Sequence, residues 1–160
     1  MALLKNKQLA ENSYTCIADE AALPASGDII VTIERWLNEH ALLEQHAGNV
    51  GVQIAGKHDP RELAETLLAR PLIALDFPVY QDGRNYTHAR ILREQLQFKG
   101  ELRARGDVQR DQLYYMWRCG IDAMELSPNV NPTTALTAFR DFSLSYQPAA
   151  DDANPHFRRA

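Results

Sequence analysis

From Asp28 onward, short β-branched or apolar runs alternate with amphipathic stretches, and this alternation limits the fold more than any other feature of the chain. The runs are DIIVTI (Asp28–Ile33), VGVQIA (Val50–Ala55), LIALDF (Leu72–Phe77), GELRARG (Gly100–Gly106) and DAMEL (Asp122–Leu126). Between them apolar residues recur at helical spacing: Trp36 with Leu42 and Leu43, Leu63 with Leu67, Ala89 with Leu92 and Leu96, Leu113 with Met116 and Trp117. The closing stretch NPTTALTAFRDFSLSY is expected to turn Leu136, Phe139 and Tyr146 inward. Boundary signals fit: Asp59-Pro60 with Glu62 reads as a capping box, Asp107 as a cap, Gly120 as a stop, and Asn131-Pro132 as a cap followed by the first helical position.

About five βα units in succession imply a parallel sheet, because right-handed crossovers lay each helix back on the sheet. The fold class is therefore α/β, as a partial (β/α) barrel or, alternatively, an open doubly wound sheet. Strand alternation favours the barrel. It puts Asp76 on one face with Leu72 and Ala74, aligns Glu101, Arg103 and Arg105, and pairs Glu125 with Ala123. A doubly wound sheet covers both faces with helices and has little room for such a charged row, whereas the inside of a curved sheet can hold paired charges. A partial barrel also leaves an open edge, so a homodimer is an expectation of this reading. Residues 1–27 are expected to be irregular, with a short antiparallel strand around Tyr14–Ala18; residues 28–147 form a single α/β domain, and residues 148–160 a loose tail.

The net charge of −4 argues against nucleic acid as a partner. No apolar run approaches the roughly 20 residues needed to span a bilayer, and the N-terminus lacks a signal-peptide hydrophobic segment. A cytoplasmic location is expected, without membrane contact. Cys16 and Cys119 form no ligand or redox motif, and Cys119 beside Gly120 reads as a small buried filler.

Against this acidic background, the stretch from Asp82 to Gln112 concentrates Arg84, Arg90, Arg93, Arg103, Arg105 and Arg110. In parallel βα folds, function gathers at the C-terminal ends of strands. Those positions hold Asp76, the loop with Asp82, Arg84 and Tyr86, then Arg105 and Asp107, and Glu125. With Arg103 they form the candidate ligand site, suited to an oxyanion because guanidinium groups and free amides at helix starts attract negative charge. The same residues can equally neutralise one another inside the fold, since charges removed from water must be paired. Arg90 and Glu94 read as an i,i+4 surface pair, and His88 as a solvated histidine near a helix start. Tyr114, Tyr115 and Trp117 read as packing residues. There is no GxGxxG, Walker loop, HExxH or GxSxG, so no nucleotide cofactor, metal or covalent nucleophile is expected.

The central motifs resemble the bacterial family of unknown function numbered 934. They are Phe77-Pro78, Asp82-Gly83-Arg84 with Tyr86, Ala89-Arg90 with Leu92-Arg93, Gly100 to Ala104, Gly106-Asp107-Val108 and Arg110-Asp111-Gln112, within a similarity running from about Val50 to Tyr146. The resemblance supplies no catalytic residues. It implies a setting beside sulfite reductase in sulfate assimilation, since genes of this family often lie next to that reductase. Two functions follow as expectations. One is an accessory protein of sulfite reduction, without a cofactor of its own, that docks on the reductase or its redox partner. The other is a small cytosolic enzyme that binds an oxyanion-bearing metabolite at the arginine rim.

Overall fold

The computed structural model describes residues 1–142 and 145–154. The strands are β1 (Leu3–Lys5), β2 (Gln8–Ala10), β3 (Thr15–Cys16), β4 (Ile29–Thr32), β5 (Val50–Ile54), β6 (Leu72–Phe77), β7 (Glu101–Gly106) and β8 (Ala123–Glu125). The helices are α1 (Ile33–Leu43), α2 (Ala64–Leu68), α3 (Arg84–Arg90), α4 (Leu113–Arg118) and α5 (Pro132–Thr137). A π-helical segment, Ile91–Gln95, continues α3.

All eight strands form one sheet in the order β2-β1-β8-β7-β6-β5-β4-β3. From β3 to β8 the neighbours are parallel, and β4 to β8 lie side by side in chain order. The sheet is nevertheless mixed, not a run of βα units alone. The β1–β2 hairpin adds antiparallel to β8, with Leu3 opposite Glu125 and Lys5 opposite Ala123. Thr15–Cys16 pairs parallel with β4, which corrects the antiparallel strand expected there.

The sheet must curl. Residues 11–14 alone join its two edge strands, β2 and β3. At about 3.6 Å per residue the five steps from Ala10 to Thr15 span at most about 18 Å, whereas eight flat strands about 4.8 Å apart would set their edges about 34 Å apart. The result is a half-barrel with residues 11–14 strapped across its open side.

The helices cover one face. Val31, Val52, Ile54, Ile73, Leu75, Phe77, Leu102 and Ala104 from the strands share a buried cluster with Ile33, Trp36, Leu67, Leu92, Leu113 and Met116. The apolar cluster on the opposite face, among the described residues, is the small group Ile30, Leu72 and Ala74, against Tyr14. This one-sided covering, with strands in sequential order, overturns the open doubly wound alternative, which needs helices on both faces.

Helix signals were met unevenly. Asn131 caps α5 through its side chain to the Thr134 amide, with Pro132 at the first position, and Gly120 ends α4 at φ +92°. Asp59 does not cap a helix from Pro60. Its carboxylate is taken by the amide and guanidinium of Arg61, and α2 starts only at Ala64. Tyr146 is 68% exposed and does not face inward, and Ser143 and Leu144 of that stretch, like residues 155–160 of the tail, lie outside the described residues.

Candidate functional site

The concave face carries the charged row. In register, Ala74 stands opposite Arg103 and Asp76 opposite Arg105, while Arg103 stands opposite Ala123. Glu125 bridges both arginines: Arg103 Nη1 donates to its Oε1 at 3.0 Å and Arg105 Nε to its Oε2 at 2.8 Å. Arg103 Nε also donates to Glu101 at 2.6 Å, and Lys5 pairs with Glu101 at 2.7 Å. The strap closes over this end. Asn12 Oδ1 accepts from Arg103 Nη1 at 2.8 Å, and the Tyr14 ring lies 5.3 Å from the guanidinium carbon. Arg103 and Glu125 are thus each 2% exposed, with every charge opposed.

The other end of the face, toward the strand C-termini, is open. Arg105 is 18% exposed and donates from Nη1 to Gln53 Oε1 at 2.5 Å. Beside it the Asp76 carboxylate, half-buried, accepts no hydrogen bond among the described residues. Burial pushes that carboxyl above its ordinary range, against the pull of Arg105 and with a further push from Asp82. Cys16, exposed on β3, is close enough for Arg105 and Glu125 to act on its thiol, which desolvation pushes up.

The remaining predicted residues diverge from this point. Arg84, 61% exposed, lies over Gly56 and folds back on Asp82 through Nε and Nη2 at 2.9 and 2.7 Å. That pair, with hydrogen bonding first among the causes, holds the Asp82 carboxyl down at about 2. Asp107 accepts from the Gln109 side chain, the Tyr80 amide and Ser127 Oγ, and so knits three loops together. It does not cap the following helix, because Gln109 and Gln112 form the capping box there. Tyr86 is on the helix side, its ring 5.2 Å from Phe77 and 5.1 Å from Tyr115, and burial raises its hydroxyl to about 12. Asp76, Arg103, Arg105 and Glu125 therefore come together, with Asp82 and Arg84 at the margin and Tyr86 and Asp107 elsewhere.

The other arginines of the stretch are also committed. Arg90 pairs with Glu94, and Arg110 with Asp141. Arg93 donates to the carbonyls of Gly120, Phe98 and Gly100 and to Asp122, which ties the starts of β7 and β8 to the end of α4. His88 is half-buried, bonded to Asn85 Oδ1, and burial lowers its pKa, so it is not the solvated histidine expected. Cys119 is buried, as the filler reading required.

Sequence reasoning missed Gln53, Asn12 and Tyr14. Gln53 had a signal, being the polar residue at the inward position of an otherwise apolar β5 run. Asn12 and Tyr14 had none, since they reach Arg103 only because the sheet curls.

A second feature lies on the helical side. Val79, Tyr80, Tyr115, Phe142 and Tyr146 are each at least half exposed. Tyr80 Oη donates to Asp111 at 2.6 Å, the Tyr114 and Phe142 rings lie 5.0 Å apart at a tilt of 42°, and Asp111, Tyr114, Tyr115 and Phe142 line one shallow depression. Tyr115, expected as a packing residue, is in fact 56% exposed.

No helix among the described residues is long and apolar enough to cross a membrane. Comparisons with curated proteins and with solved structures found no match. The profile of the family described as "Bacterial protein of unknown function (DUF934)" matches residues 51–157 of the 160-residue chain, from β5 through the charged row and the aromatic surface, and the chain belongs to that family.

Proposed function

We propose that this protein is a non-catalytic accessory protein that works by docking on another protein, in the cytoplasm and without a cofactor of its own. The partner we propose is the sulfite reductase, or its redox partner, of assimilatory sulfite reduction. The exposed aromatic surface around Tyr80, Tyr115 and Phe142 carries this reading. Contiguous exposed apolar patches mark interaction sites, and tyrosines supply large, stiff contact area at the centres of interfaces. Asp111 at its margin, bonded only by the neutral Tyr80 hydroxyl among the described residues, favours a partner that presents a basic group beside an apolar groove. The arginines give further support, because most of them are saturated by carboxylates and carbonyls of this chain.

The test is affinity capture of the reductase with the wild-type protein and with a Tyr80→Ala/Tyr115→Ala variant, together with sulfite turnover. The expected result is capture and altered turnover with wild type, both lost in the variant at unchanged thermal stability. A wild-type protein that neither captures the reductase nor alters its turnover overturns the proposal.

One observation favours a second reading, that of a small enzyme which binds an oxyanion-bearing metabolite at the open rim. Asp76 has no donor among the described residues, and the partly exposed Arg105 stands beside it. A melting-temperature rise with sulfite, sulfate or phosphate at fixed ionic strength, absent in Arg105→Ala and Arg84→Ala, is the expected sign of such a site. No rise with any of these anions removes this reading.

A further inference from the structure

At the opposite end of the sheet from Asp76 and Arg105, a cavity of about 650 Å³ opens where β7 and β8 begin. That volume is within the range of small-molecule sites, about 300–1,000 Å³. Its walls come from three places. The end of α3, the π-helical segment and the turn after it supply Arg90, Arg93, Glu94 and Phe98, α4 supplies Trp117, and Pro148 to Asp151 with Ala153 close the far side. The last wall is pinned by one side chain. Arg118 pairs with Asp151 at 2.7 Å and donates to the Gln147 carbonyl, while the Ala150 amide donates to the Arg118 carbonyl. Trp117 is held in place from behind, with Lys7 Nζ 4.2 Å from its ring centroid and Phe139 edge-on at 6.3 Å.

The charges lining the cavity cancel with one exception. Arg90 is paired with Glu94, Arg93 with Asp122, and Asp151 with Arg118. Lys99 lines the same space and, among the described residues, has no carboxylate partner and no side-chain hydrogen bond beyond a long one of 3.3 Å to Gln97. A largely apolar cavity with an indole platform and one uncommitted ammonium has a definite complement.

We infer that this cavity is a binding site for a small aromatic monocarboxylate, its ring against Trp117 and its carboxylate on Lys99. An ammonium–carboxylate bond contributes most when one end of the ligand is dry and the other reaches the charge. The site is distinct from the aromatic docking surface and from the open rim, and it requires neither to be functional.

Isothermal titration calorimetry on the full chain tests this with indole-3-acetate and its neutral counterpart indole-3-acetamide. The expected result is saturable one-to-one binding of the acid, roughly tenfold tighter than the amide, since one charge-assisted bond at a partly solvated site is worth about a factor of ten. Lys99 is exposed, so Lys99→Gln leaves the fold intact, and it should bring the acid down to the affinity of the amide. Arg118→Ala should weaken both probes alike, because it loosens the wall and leaves the charge in place. Absence of saturable heat with either probe overturns the site. Equal affinity of acid and amide, or a Lys99→Gln variant that binds the acid as wild type does, overturns the role of the lysine and with it the ligand class.

Discussion

Glu125 accepts from Arg103 with one oxygen and from Arg105 with the other, at 2% exposure. Glu125→Gln would leave two guanidinium groups facing a neutral amide, with Glu101 as the remaining carboxylate bonded to Arg103 and the neutral amide of Gln53 as the remaining acceptor for Arg105 among the described residues. Breaking a buried pair from one side costs about 3–5 kcal/mol, and the partial exposure of Arg105 sets the expected loss near the lower end, about 3 kcal/mol. Urea unfolding checks this as a lower midpoint at unchanged slope. Asp76 behaves in the opposite sense. Its folded carboxyl is pushed up by burial, so folding disfavours the charged form. Its contribution is therefore unfavourable above the folded pKa and vanishes below the unfolded value of about 3.9. Asp76→Asn should then raise the melting temperature by a few degrees at neutral pH, with the gain shrinking to nothing as the pH falls below about 4. A destabilised Asp76→Asn at neutral pH would mean that Arg105 relies on the Asp76 charge as well as on Glu125.

At the scale of elements, β7 ends at Gly106, where a left-handed turn at φ +103° brings the backbone against β6: a Cβ there would lie 2.3 Å from the Phe77 carbonyl oxygen. That approach lets the Asp107 amide bond to Phe77 O at 2.7 Å and sets the rim loop. Gly106→Ala should cost about 2–3 kcal/mol through strain and overpacking together, measured by thermal or urea unfolding. The glycine itself was visible in the sequence, but its reason was not, because the opposing carbonyl belongs to another strand. Helix boundaries divide along the same line. Asn131-Pro132 was readable because its cap bonds only three residues away. Asp107 was misread because Gln109, Tyr80 and Ser127 compete for its carboxylate, two of them from other parts of the chain. Asp59 failed for a local reason that pattern alone does not weigh, a guanidinium two residues on that captures the capping oxygens.

At the scale of the whole molecule, strand alternation was enough to place Asp76, Arg103, Arg105 and Glu125 on one face and to prefer a curved sheet, because side chains alternate whatever the tertiary context. What it could not show was the closure by residues 1–16, where the short and mixed pattern suggested one strand near Tyr14 and gave no sign of the β1–β2 hairpin. These residues lie outside the family match, yet they complete the sheet. Leu3 and Leu4 are buried against the fold, Lys5 pairs with Glu101, and Asn12 reaches Arg103. A chain starting at Ile17 would lose the burial of the two leucines, about 1.5–3 kcal/mol each, so about 3–6 kcal/mol together. It would also expose the β8 edge and open the Arg103–Glu125 pair to water. Against a total stability of about 5–15 kcal/mol, that loss should leave the truncated chain without a cooperative thermal transition, or aggregating through the bare edge. Circular dichroism melts and sedimentation of the truncated chain check this. A cooperative transition within a few degrees of wild type would mean that residues 17–154 close the half-barrel's charged face by themselves, and that the strap is a cover and not part of the core.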